Sequence, residues 1–226
     1  MAITTLHDRA TQRADGRTRL LLTAAAIAGP LFYLSSTVQA LTRSGFDLRD
    51  HPLSQLATGD LGWIQAVSFV LAGLGVLALA VAHRRVVPKG TGARSAPVFL
   101  GIFGVGFVVA GCFPMDPQNG FPIGAPAGTV EMSWHSVIHS AAAALSFVAL
   151  AAACIVLLVR AFRRHHVWAA VGHGVTALVL LVPVSPSESS VQIAVTGLVA
   201  FTWVTVYSLG LRHGMSDHTD PAKSLG

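Results

Sequence analysis

The sequence predicts an all-α integral membrane protein, a bundle of six transmembrane helices with both termini in the cytoplasm. Its 226 residues are 53% hydrophobic and only 11% charged, whereas a soluble domain carries about 25% charged residues. Six apolar stretches reach or approach the length of about 20 helical residues that crosses a bilayer. Basic residues collect in alternate loops. Together these observations exclude an ordinary soluble enzyme and a disordered chain.

The predicted spans follow the chain from its arginine-rich start. The first resembles a secretory signal with a cleavage site, but its apolar run is as long as a full span, which favours an uncleaved anchor. The third and fifth are interrupted by Gly or bounded by Pro, so their ends are the least defined. The six predicted spans are 20–41, 63–83, 97–115, 134–160, 167–184 and 191–211.

Lysine and arginine residues lie mostly on one side of the predicted bundle. Thirteen of the fifteen fall in the two tails and in the second and fourth loops, and only Arg43 and Arg49 fall on the other side. Because cytoplasmic loops carry the excess of Lys and Arg, this pattern predicts a multi-pass protein of the cell membrane with cytoplasmic termini. It also explains the net charge of +5 without a nucleic-acid partner. The expected divisions are tails at 1–18 and 213–226 and one transmembrane domain at 19–212.

Two kinds of residue inside the spans indicate contacts between helices. Small residues such as Gly73, Gly101, Gly104 and Gly106 allow close backbone approach, which drives helix association in lipid. His173 lies within the fifth span, where a hydrogen bond to a neighbouring helix is favoured over a ligand role. Both features are expected to serve packing.

Three ionisable residues near the start of the fourth span form the clearest candidate site. Glu131, His135 and His139 are spaced at i, i+4 and i+8, which places them along one face of a helix. Such a face can hold a metal ion or relay protons. We therefore expect a functional cluster at the outer end of the bundle.

Further candidate acids lie in the outer loops. Asp116 stands between Pro114 and Pro117 at the end of the third span, beside Phe113. An apolar setting would raise its pKa and make it a general acid near neutral pH. Asp50, in the first outer loop, is a second candidate acid, and Glu188 lies in a short outer turn.

Several of these segments resemble a bacterial six-span membrane family catalogued as domain of unknown function 998. The likeness covers roughly 40–160, through the first outer loop, the Phe-Pro-x-Asp turn at 113–116 and the His-x-x-x-His pair at 135–139. Here the loop reads Ser-Gln-Leu-Ala at 54–57, where the family often has Ser-Glu-Leu-Gly. The resemblance implies the six-helix fold and assigns no activity.

The function favoured by the sequence is proton-initiated cyclisation of a lipophilic, isoprenoid substrate, as in a membrane terpene cyclase. That reaction needs a neutral carboxylic acid in an apolar pocket and aromatic rings that stabilise a cation. Asp116, Glu131 or Asp50 would be the acid, and His135 and His139 would set its protonation and take the product proton. No cofactor is required. The aromatic residues expected to bind the substrate are Phe46, Trp63, Phe113, Phe121 and Trp134.

Two alternatives remain open from the sequence. One is a zinc-dependent hydrolase of a lipid amide or ester, with His51, His135 and His139 binding Zn²⁺ and Asp116 as ligand or base. The other is a non-enzymatic protein of membrane assembly or lipid binding, in which the outer polar residues form only an interhelical network. In every case the partners are the lipid bilayer and, for an enzyme, a lipophilic small molecule.

Overall fold

Six α-helices follow one another along the chain, and the computed structural model describes residues 2–184 and 189–217. Glu188 lies outside the described residues. A single turn of 3-10 helix, Leu53–Ala57, lies in the loop between the first two helices. The helices are α1 (Ala2–Thr42), α2 (Gly62–Val86), α3 (Ser95–Cys112), α4 (Trp134–Arg163), α5 (Val167–Leu181) and α6 (Ser189–Asp217).

Each predicted span corresponds to one helix, with differences at the ends. α1 continues back through residues 2–18 of the predicted tail at 1–18, since that segment contains no Pro to break it. α3 ends at Cys112, three residues before the predicted end. Pro114 lacks an N–H and disfavours helical backbone in the residue before it. Pro183 has the same effect after α5, where Val182 is already extended.

Among the described residues, five helices are long and apolar enough to cross a membrane, and α5 is a shorter apolar helix of 15 residues. The predicted helical membrane bundle is therefore confirmed, with a fifth helix shorter than the predicted span of 167–184. Large apolar side chains such as Leu41, Trp168 and Leu178 are exposed on its outside. Such a surface belongs in contact with lipid.

The helices form a ring in which each packs against its neighbours in sequence. α1 packs against α2, α2 against α3, α3 against α4 and α4 against α5, and α6 returns to α1. Aromatic rings fill the middle of this ring. Phe32 of α1 stacks on Phe201 of α6, and Phe107 of α3 meets both at an angle. These contacts join the first, third and last helices.

Close helix contacts are made at glycine positions, as predicted. A side chain on Gly73 of α2 would lie 2.6 Å from the Gly104 carbonyl oxygen of α3, and one on Gly104 would lie 2.8 Å from the Gly73 carbonyl oxygen. Gly106 packs against Ser146 of α4. Gly101, by contrast, faces open space. α2 and α3 therefore approach backbone to backbone, which a larger residue would prevent.

Candidate functional site

The two outer loops, residues 43–61 and 113–133, fold onto each other over one end of the bundle. Arg43 joins them at the end of α1. Its guanidinium donates hydrogen bonds to the carbonyls of Leu56 and Thr58 and lies 4.7 Å from the centre of the Phe121 ring. A cation over an aromatic face adds to this attachment. The first outer loop is thereby tied to both α1 and the second outer loop.

His51, one of the three histidines predicted to bind zinc in the alternative hydrolase, also connects the two outer loops. Its Nδ1 accepts a hydrogen bond from the Asp47 backbone N–H at 2.9 Å, so Nε2 carries the proton. Nε2 then donates to the Asn119 carbonyl, also at 2.9 Å. Nδ1 thus holds a turn within the first outer loop, Nε2 joins that loop to the second, and the side chain is buried.

Gln55, in the 3-10 turn, also joins the first outer loop to the second. Its Nε2 donates to the carbonyl oxygens of Gln118 at 2.6 Å and of Phe121 at 3.2 Å. The side chain is fully buried, and its Oε1 has no hydrogen-bond partner. This is the position at which the resemblance noted in the sequence implies a Glu. An amide fits here because its neighbours are carbonyls, which a carboxylate cannot satisfy.

Asp116, Ser133 and His135 meet at the start of α4. The Ser133 N–H donates to Asp116 Oδ2 at 2.7 Å, and Ser133 Oγ lies 2.7 Å from His135 Nδ1. Asp116 Oδ1 is 4.0 Å from the same ring nitrogen. In a catalytic triad, Ser and Asp contact opposite nitrogens of the His ring. The three residues therefore do not form a triad; Ser133 acts as the N-cap of α4 and accepts a hydrogen bond from the Ser136 N–H.

The carboxyls predicted as general acids lie at the outer rim. Burial raises the pKa of Asp116, but hydrogen bonds from Ser133 and the nearby His135 outweigh it, so the pKa lies below its ordinary value. The prediction that Asp116 acts as a general acid required its pKa to be raised. Asp50 and Glu131 are exposed to solvent. Neither group is enclosed in an apolar pocket.

The predicted alignment of Glu131, His135 and His139 on one helix face is not formed. α4 begins at Trp134, after its Ser133 N-cap, so Glu131 precedes the helix. His135 and His139 do lie one turn apart on α4, but His135 faces the rim and His139 is buried. Spacing alone could not show where the helix begins.

His139 attaches α4 to the end of α3. Its Nδ1 lies 2.8 Å from the Ala110 carbonyl oxygen and 3.0 Å from that of Phe113. Because both neighbours are acceptors, Nδ1 must carry the proton and donate. In the neutral ring, Nε2 is then a bare acceptor. It has no hydrogen-bond partner in the described part of the chain.

A cavity of about 70 Å³ lies beside His139, between the outer halves of the helices. Leu53 and Ser54 of the 3-10 turn also line it. A groove of about 480 Å³ between α1 and α6 shares Tyr33, Leu53 and Ala194 with this cavity. The aromatic rings that line the cavity are those of Phe32, Tyr33, Phe69, Phe107, Phe147 and Phe201.

None of the aromatic residues predicted to bind substrate lines this cavity. Phe46 and Phe121 pack against each other beneath the outer loops, and Phe46 also lines the α1–α6 groove. Phe113 contacts Trp134 at the rim. Trp63 and Trp134 are exposed, at positions typical of headgroup-level anchors. The aromatic rings that line the cavity belong instead to residues that the sequence alone does not distinguish from the apolar core.

The three histidines of the alternative zinc site are not brought together. His51 bonds to the outer loops, His135 to Ser133, and His139 to the end of α3. Among the side chains that the structure describes, those of residues 14–184 and 189–215, no group of three or more His, Cys, Asp or Glu is arranged to hold a metal ion. The predicted ligand set would require these residues to exchange their present partners.

The fold and the site define a multi-pass helical membrane protein with two interlocked outer loops above an aromatic cavity that contains a buried histidine. The chain belongs to the family described as Protein of unknown function (DUF998), whose model matches residues 26–212. The resemblance noted in the sequence is thereby confirmed. No curated protein and no solved structure matches the chain.

Proposed function

We propose that the protein, placed in the cell membrane, binds a lipophilic molecule that carries a hydroxyl group and enters from the bilayer. The observation that carries this proposal is the bare Nε2 of His139 beside an aromatic cavity. An acceptor that faces an apolar cavity without a partner gains about 1 kcal/mol from a hydrogen bond to a hydroxyl donor. The surrounding rings favour an apolar chain.

The dimensions of the site suit a ligand that is held partly inside the bundle. The cavity of about 70 Å³ accepts the hydroxyl end and a few carbon atoms. The groove of about 480 Å³, which shares Tyr33, Leu53 and Ala194 with the cavity, accommodates the chain. Together they reach the size of small-molecule pockets, which is about 300–1,000 Å³. The groove lies between α1 and α6, on the lipid-facing side.

Cyclisation of an isoprenoid chain is the second candidate function. Aromatic faces around the cavity would stabilise a carbocation, and Nε2 of His139 is in the right protonation state to accept the product proton. The reaction also requires an acid that protonates the substrate at the start. The three candidate acids lie at the rim rather than in the cavity; they are Asp116, Asp50 and Glu131. A hydrolase receives no comparable support, since its zinc ligands are apart.

Binding can be tested with a fluorescent prenyl alcohol and its methyl ether, which cannot donate a hydrogen bond. We expect the wild-type protein in detergent to bind the alcohol about tenfold more tightly, the effect of one buried hydrogen bond. The variant His139→Phe should lose this preference. His135→Phe, on the same helix but at the rim, should keep it. Equal affinity of the wild type for both ligands would refute the proposal.

Cyclisation requires a separate assay of turnover. The substrate would be an open-chain prenylated compound, and its cyclic product would be detected by mass spectrometry. Asp116→Asn and Glu131→Gln each remove one candidate acid with little change in shape. If a cyclic product forms and both variants retain full activity, these carboxyls are not the acid and the predicted mechanism is wrong. Binding of the alcohol would be unaffected by that result.

A further inference from the structure

A second, larger cavity lies at the opposite end of the bundle, the end predicted to face the cytoplasm. It has a volume of about 1050 Å³ and is bounded by residues 14–18 of α1, the ends of α2, α4 and α6, and the start of α5. No residue that lines the outer cavity lines this one. An inference about it is therefore independent of the proposed function.

Cationic side chains dominate the wall of this inner cavity. Arg85 lies in the last turn of α2, Arg160 lies in the last turn of α4, and Arg164 follows α4. Asp15 is the one carboxylate among the described lining residues, and it forms no ion pair with them. His166, at the start of α5, adds a further polar group. The wall therefore has an excess of positive charge.

These arginines differ in how they are held. Arg160 donates to the carbonyl oxygens of Thr91 at 2.9 Å and Lys89 at 3.3 Å, so its position is fixed by the loop between α2 and α3. For Arg85 and Arg164 the described residues provide no hydrogen-bond or ion-pair partner. Their guanidinium groups are exposed at the mouth of the cavity and free to bind an anion.

The floor of the cavity contributes a neutral donor. Trp203 Nε1–H can only donate, and it lies 2.9 Å from His173 Nδ1, so that nitrogen is an acceptor. The proton of His173 is therefore on Nε2. This N–H has no partner in the part of the chain that the structure describes, and the side chain is 92% buried and lines the cavity. A donor in the wall of a cavity that has no partner favours an acceptor ligand.

A second hydrogen-bonded pair supports this floor. The His83 Nε2 lies 3.1 Å from the Gly92 carbonyl oxygen and must donate to it, so His83 Nδ1 accepts from the Tyr207 hydroxyl at 2.7 Å. The Tyr207 ring stacks on Trp203. The floor is thus a connected arrangement of polar aromatic side chains from α2, α5 and α6.

We propose that the inner cavity binds the phosphate headgroup of an anionic phospholipid. Guanidinium groups bind phosphate oxygens through paired, charge-assisted hydrogen bonds, and the His173 N–H supplies a further donor. Apolar side chains, including Leu157 and Leu211, line the same cavity and suit the start of an acyl chain. The cytoplasmic leaflet, where anionic lipids attract basic segments, is also where this end is predicted to lie.

The test uses the whole protein, reconstituted in vesicles of equal amounts of phosphatidylglycerol and phosphatidylcholine and then extracted in mild detergent. Lipids that remain bound are identified by native mass spectrometry. We expect the wild type to retain phosphatidylglycerol in preference to phosphatidylcholine. The double variant Arg85→Gln/Arg164→Gln should reduce that retention by about tenfold or more.

A matched double variant controls for general surface charge. Lys89→Gln/Arg94→Gln removes the same charge from the same face, and neither side chain lines the cavity. It should retain the lipid as the wild type does. Equal loss in both double variants, or loss in neither, would overturn the proposal.

Two further measurements keep the result interpretable. Thermal unfolding of both double variants tests for a general loss of structure, which we do not expect, because Arg85 and Arg164 have no partner among the described residues. Inorganic phosphate, added at millimolar concentration, tests for a soluble ligand. If it displaces the lipid completely, the site recognises a free anion and the assignment to a lipid headgroup is wrong.

Discussion

Asp116 acts in this structure as the acceptor that secures the first turn of α4. Its carboxylate binds the Ser133 N–H, and its pKa lies below the ordinary value of 3.8. A lowered folded-state pKa stabilises the fold above the ordinary value, and that contribution disappears as the pH falls through the folded-state pKa. We expect Asp116→Asn to unfold slightly more easily than the wild type at neutral pH, by less than about 1 kcal/mol because water screens the carboxylate.

The measurement is unfolding in detergent as a function of pH. The difference between the wild type and Asp116→Asn should shrink as the pH falls below 3.8 and vanish once the pH has passed the folded-state pKa. A difference that grows as the pH falls would instead indicate that the carboxyl is protonated in the folded protein, as the general-acid role requires.

Gln55 allows a sharper test at the residue scale. In Gln55→Glu, a buried carboxyl would face the carbonyls of Gln118 and Phe121. Only its protonated form could donate to them, so its pKa should be raised in the folded state. The variant should therefore lose about 3 kcal/mol of stability at neutral pH and recover part of it below about pH 4.3. Thermal unfolding of Gln55→Met, which cannot ionise, should show a deficit that is independent of pH.

At the scale of the elements, the contact between α2 and α3 depends on glycine. Gly104→Ala would bring a methyl group to 2.8 Å from the Gly73 carbonyl oxygen and from Leu77. We expect a loss of about 1–3 kcal/mol, typical of overpacking. Gly101→Ala, one turn earlier on α3, meets open space and should leave thermal unfolding unchanged or improve it. Equal effects of both substitutions would contradict the predicted close contact.

The elements also show what sequence can and cannot predict. The existence of the helices followed from long apolar runs, and Pro114 and Pro183 explain the ends of α3 and α5. The sequence did not predict which face of each helix points into the bundle, because a helix that is apolar on all sides has no periodic pattern of polar residues. For that reason, the cavity ring of Phe107 could not be distinguished from lipid-facing residues.

The candidate site was predictable only in part. The spacing of His135 and His139 correctly placed them one turn apart on α4. Their different surroundings depend on the end of α3, which supplies the carbonyls that hold His139. In the sequence, the arginines of the inner cavity indicated only which ends of the helices face the cytoplasm. Their arrangement around His173 depends on how five helices pack, which the sequence does not show.

For the whole molecule, the predicted orientation can be measured directly. Ser44 lies in the first outer loop and Lys89 in the loop between α2 and α3, and both are exposed. With Cys112→Ser as background and the buried Cys154 retained, a membrane-impermeant maleimide should label Ser44→Cys in intact cells. It should label Lys89→Cys only after permeabilisation. The reverse pattern would place both termini outside the cytoplasm.

The short α5 has a consequence for the surrounding lipid. Its 15 residues extend roughly 22 Å at the helical rise, against a hydrocarbon thickness of about 30 Å. Its neighbours α4 and α6, of 30 and 29 residues, have no such deficit. The bilayer is therefore expected to thin most beside α5, and this hydrophobic mismatch costs fractions of a kcal/mol per Å. The protein is thus expected to deform its membrane asymmetrically and to partition toward thinner, more compliant bilayers.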